Sequence, residues 1–226
     1  RMAIDTYANL QTAILYRLGN RSNATLTSKV PEFIASWEAA MNRRLKTADM
    51  EATATLTTTI NVSRVSLPTG FTQMRRLRLR EGDNAPFRFI DIWPVPLAGD
   101  KVEYSSGPPI GVSIQGSNLI VKPTPDAAYT LIMDYYARFT QLSDANPTNW
   151  ILTNNPDAYE LGATAYGYLS TGGLDRYRDW RALAFAVIDE MNDYDHKLRF
   201  TNTKARTDVA ALISRQGMYD IRTDSA

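Results

Sequence analysis

Residues able to do chemistry are few in this sequence, and they are not arranged as an active site. The chain has one histidine, His196, and no cysteine. A protein zinc site needs several such ligands, and without cysteine neither thiolate catalysis nor a disulfide is available. Gly111 and Gly116 lie in a strand-and-turn context, unlike the glycines of phosphate-binding loops. We therefore expect no enzymatic activity, no cofactor and no bound metal.

An acidic cluster lies beside the histidine. Its spacing follows the surface of a helix and lacks the glycine turn of an EF-hand loop, so a calcium site is not indicated. Folding can bring any two carboxylates together as in a glycosidase, but nothing in the sequence marks such a pair. We interpret the cluster as a solvated or subunit-facing acidic surface. Its members are Asp189, Glu190, Asp193 and Asp195.

A short basic segment is the sharpest local feature. On a strand, alternate side chains share a face, at about 6.6 Å spacing. Arg76, Arg78 and Arg80 would then lie on one face, and Arg75 would lie with Leu77 on the other. Such a row suits a phosphate backbone, the carboxylates of a neighbouring subunit, or plain solvent. We keep all three interpretations open, with Arg75, Arg76, Arg78 and Arg80 as candidate subunit or DNA-lumen contacts.

Composition places few limits on the partners of this 226-residue chain. It carries 25 basic and 24 acidic residues, so no global field points to nucleic acid. Residues 1–50 hold seven basic and four acidic side chains, whereas 141–226 hold nine and twelve. This asymmetry suits complementary contacts between subunits. No apolar run approaches the roughly 20 residues of a membrane span, so we expect no membrane insertion.

Helical periodicity predicts two helices in the first fifty residues. The first is predicted to have Asp5 as N-cap and to stop at Gly19. The second is predicted to begin at the cap Ser28, with Pro31 in its first turn, where a missing N–H is harmless. Their apolar stripes comprise Tyr7, Leu10, Ile14, Leu15 and Leu18 in the first helix, and Phe33, Ile34, Trp37, Met41 and Leu45 in the second.

The pattern changes to short strands from about Thr53 to about Arg138. Apolar and polar residues alternate there, with β-branched side chains and frequent Pro and Gly. Gly116-Ser117 predicts a tight hairpin turn. The predicted strands span 55–62, 73–80, 86–90, 102–104, 110–115, 118–122 and 129–136.

Two more helices are predicted after residue 150. Asn155 is the predicted cap of the first, Pro156 its first helical position, and Gly172 its stop. A helix of about 25 residues follows. We predict one apolar stripe along it, formed by Leu174, Tyr177, Trp180, Ala184, Val187, Met191, Tyr194 and Leu198.

These elements predict an α+β fold. Amphipathic helices need partners to bury their stripes, so the helices before and after the strands are expected to form one antiparallel bundle of about four helices. The bundle domain would comprise 1–52 and 141–226. An inserted β-domain of short antiparallel strands would comprise 53–140.

Read in order, the segments resemble a known family, the head-to-tail adaptor (connector) proteins of podovirus-type bacteriophages. The resemblance runs from about Thr6 to Leu198 and is most specific around residues 142–159. It rests on Tyr7-Ala8-Asn9-Leu10-Gln11 with Ile14, Val30-Pro31-Glu32-Phe33-Ile34, Glu38-Ala39, Asn42-Arg43-Arg44-Leu45, Leu67-Pro68-Thr69-Gly70-Phe71, Tyr135-Tyr136-Ala137, Leu142-Ser143-Asp144, Thr148-Asn149-Trp150-Ile151-Leu152 and Asn155-Pro156-Asp157-Ala158-Tyr159.

The resemblance implies a structural protein of the virion neck. Family members form a ring, usually of twelve copies, that binds the portal on one side and the tail nozzle or tube on the other. DNA passes through the lumen during ejection and touches it transiently, and no enzymatic activity is implied. Assembly would take place in the cytoplasm of the host bacterium.

Residues 201–226, which we name the tail segment, are polar and offer little apolar surface. Ordering a residue costs about 1–2 kcal/mol, so we expect this segment to order only on a portal or neighbouring copy. Its candidate portal contacts are Val209, Leu212, Ile213, Met218 and Tyr219.

Two alternatives remain open at this stage. The chain could be a nucleic-acid-binding module that uses the arginine strand. It could also be a carbohydrate-binding or carbohydrate-degrading tail protein, with Trp93, Trp150 and the acidic residues along a groove.

Overall fold

Helices and strands occupy separate parts of the chain, as an α+β fold requires. The computed structural model describes residues 3–19, 24–82, 85–92 and 106–199. These form two units: a helical unit from the described residues before 48 and after 142, and a β-unit from those between 48 and 142. The predicted α+β class is confirmed. The bundle geometry and the assignment of 1–52 with 141–226 to one domain and of 53–140 to an inserted domain stay predictions.

The helical unit is organised around one central helix. This helix, α4, contacts α1, α2, α3 and α5. The contact surfaces are lined by fully buried side chains such as Ile34, Trp37, Tyr159 and Ile188. The helices are α1 Tyr7–Arg17, α2 Ala24–Arg44, α3 Trp150–Asn154, α4 Pro156–Ser170 and α5 Leu174–Arg199.

Two helix starts differ from the prediction. Thr6, rather than Asp5, is the N-cap of α1, because its hydroxyl accepts a hydrogen bond from the Asn9 backbone N–H. The second helix already runs from Ala24, so Pro31 lies inside it, and Ser28 donates to the Thr25 carbonyl instead of capping. Packing outweighed the local cap signal. Leu26, two residues before the predicted cap Ser28, is already buried, as is Val30, so the helix extends towards its N-terminus to cover them.

The predicted start and stop of α4 are confirmed. Asn155 occupies the N-cap position and Pro156 is the first helical residue, although the Asn155 side chain makes no capping hydrogen bond. After the helix, Gly172 adopts a φ of 81°, a left-handed conformation that favours glycine. The chain can therefore reverse immediately into α5.

The β-unit contains two four-stranded sheets in the described residues. Their strand orders are β1-β8-β3-β4 and β2-β7-β6-β5. All pairs are antiparallel except β5 with β6, which is parallel and departs from the prediction. The strands are β1 Glu51–Thr57, β2 Arg64–Ser66, β3 Phe71–Arg80, β4 Arg88–Phe89, β5 Asp91–Ile92, β6 Gly111–Gln115, β7 Asn118–Lys122 and β8 Thr130–Ala137.

One apolar core joins the inner faces of both sheets. Leu77 and Leu131 come from the first sheet, and Val112 and Leu119 come from the second. Because side chains alternate along each strand, the other face of the first sheet stays open to solvent. This open face carries the arginine row.

The first predicted strand is displaced along the chain. It runs over 51–57 instead of 55–62, because the chain leaves the sheet at Thr58 and turns at Asn61, whose φ is 60°. The buried Thr58 hydroxyl accepts from the Tyr129 N–H and donates to the Ala127 carbonyl, which fixes this exit. The predicted strand at 102–104 lies outside the described residues.

The hairpin between β6 and β7 is confirmed at Gly116-Ser117. Gly116 has a φ of 61° and occupies the first central position of a two-residue turn, the place where a type II′ turn needs glycine.

Within the described part of the chain, no helix is long and apolar enough to cross a membrane.

Candidate assembly surfaces

The arginine row lies on the open face of the first sheet. Leu77 and Leu79 point into the core, and Arg76 and Arg78 point the other way, as predicted from strand alternation. Arg75 does not follow the prediction. A register irregularity between Met74 and Arg76 shifts it out of the alternation, so it is exposed and pairs with Glu51.

One carboxylate and two aromatic rings hold the arginines in place. Asp134 accepts two hydrogen bonds from the Arg78 guanidinium, at 3.2 and 3.3 Å, and lies 4.0 Å from Arg76 Nε. Arg78 and Arg80 lie over the Phe87 ring, and Arg76 lies over Phe89. A single carboxylate thus serves Arg76 and Arg78 together. We name Arg76, Arg78, Arg80, Phe87 and Phe89 the arginine face.

The acidic cluster separates into paired and unpaired members. Asp189 accepts two hydrogen bonds from Arg44, at 2.6 and 2.8 Å, and this pair ties α5 to the end of α2. Asp195 pairs with Arg199 one turn along α5 and is largely buried. Glu190 and Asp193 are exposed and meet no cation among the described residues. Glu190 and Asp193 therefore fit the predicted acidic interface best, although Asp189 is still half exposed beside Arg44.

The long helix α5 carries two apolar stripes where one was predicted. Its inner stripe is Ala184, Ile188 and Met191, which are buried against the rest of the helical unit. Ala184 and Met191 of the predicted stripe lie in this inner stripe, whereas its Tyr194 and Leu198 face outward together with Leu183, which was not part of the prediction. We name this outward set the outer stripe. It consists of the exposed residues Leu183, Tyr194 and Leu198, with half-buried Val187 beside them.

A buried polar network that the sequence did not reveal links three helices. Glu38 in α2 is 1% exposed, and its carboxylate accepts a 2.8 Å hydrogen bond from the Tyr159 hydroxyl in α4. The Asn149 amide donates to the same hydroxyl at 2.7 Å, while its oxygen caps the N-terminus of α3 by accepting from Leu152 N–H. The signal was present, because all three residues lie in segments that carry the family resemblance.

The remaining predicted residues are not brought together into a site by the described part of the structure. His196 is an exposed residue near the end of α5. Across the described ranges, no group of three His, Cys, Asp or Glu side chains is arranged to hold a metal ion. The predicted portal contacts of the tail segment, Val209, Leu212, Ile213, Met218 and Tyr219, lie outside the described residues, as does Trp93. Trp150 is the half-buried first residue of α3.

The raised pKa values of two tyrosines with buried rings predict a loss of stability at alkaline pH. Burial, reinforced by the negative charge of Glu38, raises the pKa of Tyr159, and the hydrogen bond to Asp126 raises the pKa of Tyr129 to about 12. Unfolded tyrosine loses its proton near pH 10, so ionisation favours the unfolded chain above that pH. We expect the free energy of unfolding to be constant up to about pH 9 and to fall between about pH 10 and 12.

Denaturant titrations at pH 8, 10 and 11.5 would measure this dependence. Tyr129→Phe is expected to remove part of the alkaline loss, whereas Tyr194→Phe, at an exposed position, is the matched control and should leave it unchanged. An unfolding midpoint that does not move between pH 8 and 11.5 would contradict the prediction.

Comparison with known proteins adds one match. A family model described as SU10 adaptor protein matches residues 5–210 of the chain. The match includes both described units and continues ten residues beyond Phe200. No curated protein matches the chain.

Proposed function

The chain belongs to the SU10 adaptor protein family, the head-to-tail adaptors of bacteriophages, and from this membership we propose its place in the particle. We propose that copies of the chain form a ring, of twelve in keeping with the family resemblance, between the portal and the tail nozzle. DNA passes through the lumen of this ring during ejection. The observation that carries the proposal is the family match over residues 5–210.

The architecture supports an assembly role. The helical unit is tied by charged and polar contacts between elements distant in sequence, such as Arg17 with Glu160 and Arg44 with Asp189. We propose that α1, α2, α4 and α5 form an antiparallel bundle into which the β-domain is inserted. Such a frame presents rigid surfaces, and rigid surfaces reduce the entropy lost when copies associate.

The proposal is tested by locating the protein in the particle. We expect electron microscopy of purified portal mixed with the chain to reveal an added ring on one side of the portal. Infections depleted of the chain are expected to yield DNA-filled heads without tails. Particles that acquire tails at the normal rate without the chain would refute the proposal.

The tail segment provides a separate prediction. Deleting 201–226 is expected to leave both described units folded and to abolish attachment to the portal, because we propose that this segment orders on the portal. Circular dichroism and thermal melting would report folding, and co-sedimentation with portal would report attachment. Replacing Val209, Leu212, Ile213 and Met218 with serine keeps the length and should have the same effect; normal attachment of either variant would refute a portal-binding tail.

One observation favours a second candidate function, binding of nucleic acid. The arginine face combines three guanidinium groups with exposed aromatic rings, a combination also used for nucleic acid strands. A gel shift that weakens steeply with salt would support this reading. Trp93, on which the carbohydrate alternative depends, lies outside the described residues.

A further inference from the structure

We propose that neighbouring copies of the chain bind each other through two unlike surfaces, the arginine face of one copy and the outer stripe of α5 on the next. This inference rests on the ring assembly proposed above. A closed ring of more than two copies related by rotation needs a heterologous interface, in which each copy contributes two different and complementary patches. Among the described residues, the arginine face and the outer stripe form such a complementary pair.

The arginine face has the composition of an interface rather than of a solvated surface. Phe89 is 70% exposed, and the Arg76 guanidinium stacks over its ring. Arginine and phenylalanine are both enriched at the centres of protein interfaces, where lysine and glutamate are depleted. The charge of Asp134 offsets only one of the two positive charges on Arg76 and Arg78. This patch therefore combines apolar surface with excess positive charge.

The outer stripe combines apolar surface with negative charge. Leu183, near the middle of α5, is 56% exposed, and Tyr194, in its last third, is 65% exposed. Glu190 projects between them and Asp193 lies along one edge of the stripe. The sequence contains no basic residue between Arg181 and His196. Lys197 follows only at the far end of the helix.

Charge decides which patch meets which. Packing the arginine face against its own copy would bring guanidinium groups together, and packing the outer stripe against itself would bring Glu190 and Asp193 together. Juxtaposed like charges are costly at an interface, whereas the mixed pair places Arg76 and Arg78 near carboxylates. The mixed pair also buries Phe89 and Leu183 against each other's apolar surroundings.

A protein partner fits the arginine face better than DNA does. Asp134, on β8 beside Arg76 and Arg78, would repel a continuous line of phosphate groups more than it repels two separate carboxylates. A neighbouring α5 also offers the apolar side chain of Leu183 to Phe89, whereas the outside of a DNA duplex offers phosphate charge. DNA binding is therefore an outcome to be tested against this one.

Disulfide trapping tests the contact directly, because the chain has no cysteine of its own. Phe89→Cys and Leu183→Cys would be placed in separate copies, mixed and mildly oxidised. We expect the mixture to form covalent dimers at least tenfold faster than either variant alone. A covalent bond captures brief encounters, so stable rings are not required. Tyr16→Cys, at a side chain that is 74% exposed, replaces Leu183→Cys in the control mixture and should not react above background.

Charge reversal then identifies the surfaces. Adding Arg76→Glu and Arg78→Glu to the Phe89→Cys copy should reduce trapping with Leu183→Cys by about tenfold or more. Adding Glu190→Arg and Asp193→Arg to the Leu183→Cys copy should restore it. Restoration requires both altered copies to be folded, so it separates a lost contact from a lost structure.

The contrary outcomes are distinct from one another. Fast trapping of Leu183→Cys with itself would indicate that two outer stripes contact each other, and the proposed contact between unlike surfaces would be wrong. Equal trapping with Tyr16→Cys, or no restoration by the reversed partner, would overturn the assigned surfaces. Salt-sensitive DNA binding that Arg76→Glu and Arg78→Glu abolish while trapping is unchanged would assign the arginine face to DNA. If wild-type copies form rings on the portal but the Phe89→Cys and Leu183→Cys copies trap each other no faster than the controls, the proposed function stands and this inference fails; if no rings form, both fail.

Discussion

Replacing Gly162 with alanine is expected to destabilise the helical unit by about 3 kcal/mol, at the upper end of the usual cost of overpacking. A Cβ atom at this position would lie 2.0 to 2.5 Å from atoms of the Trp37 indole. The ring is fully buried and packs against Phe185, so it has no space into which to move. In an exposed helix the same change would stabilise the protein by about 1 kcal/mol. The steric clash with Trp37 therefore decides whether the substitution stabilises or destabilises the helical unit.

Gly167 provides the matched control on the same helix. A Cβ there would approach the methyl groups of Leu18, at 2.6 and 3.0 Å, and these are the far ends of a flexible side chain. We therefore expect Gly167→Ala to cost less than 1 kcal/mol, within the range of tolerated changes. Denaturant unfolding of both variants measures the contrast; equal stability of the two would contradict the argument.

A substitution at Trp37 should show that positions 37 and 162 are energetically coupled. The indole Nε1 is buried without a hydrogen-bond partner, so Trp37→Phe removes an unsatisfied donor along with some volume. In the Gly162→Ala background it should recover part of the lost stability, giving a double-mutant cycle that is clearly non-additive. Additive effects would mean that the Gly162 clash is relieved elsewhere.

Removing the Tyr159 hydroxyl is expected to cost about 1.5–3 kcal/mol, the usual worth of a buried hydrogen bond to a charged group. Tyr159→Phe leaves the volume nearly unchanged, but it withdraws the donor from the buried Glu38 carboxylate and the acceptor from Asn149. The loss should appear in the free energy of unfolding measured by denaturant titration. Tyr194→Phe, at an exposed position, should change stability by less than about 0.5 kcal/mol.

The reciprocal substitution tests whether the network acts as a unit. Glu38→Gln keeps an acceptor for Tyr159 and removes the buried charge, so it should cost less than Glu38→Ala. Combined with Tyr159→Phe, it should be less than additive, because each change already disrupts the same hydrogen bond. A Tyr159→Phe variant as stable as the wild type would show that the network does not hold these helices together.

Family resemblance and structure meet in this network. Glu38, Asn149 and Tyr159 are separated by more than a hundred residues between the first and the last, yet they converge on one hydroxyl group. From the sequence, the segments that contain these residues could be recognised as typical of the adaptor family, but the role of the three residues could not be predicted. The structure supplies one: these polar side chains orient α2, α3 and α4 where apolar contact alone would allow sliding.

The sequence by itself determined the features that depend on a few adjacent residues. Pro156 starts α4, Gly172 ends it, and Gly116 turns the hairpin, because each requires a backbone conformation or a missing N–H that few residues allow. The α+β class follows from two different periodicities, and alternation along β3 placed Arg76 and Arg78 opposite Leu77. All of these are local, and local rules suffice for them.

Tertiary structure decided which of several equivalent patterns is buried. On α5 the apolar residues cover more than one face, and only packing against the rest of the helical unit selected Ala184, Ile188 and Met191 and left Leu183 and Tyr194 outside. Likewise, the irregularity beside Arg75 arises from pairing β3 with β8, a strand more than fifty residues away. Burial and register are properties of pairs of surfaces, so a single segment does not contain the information that fixes them.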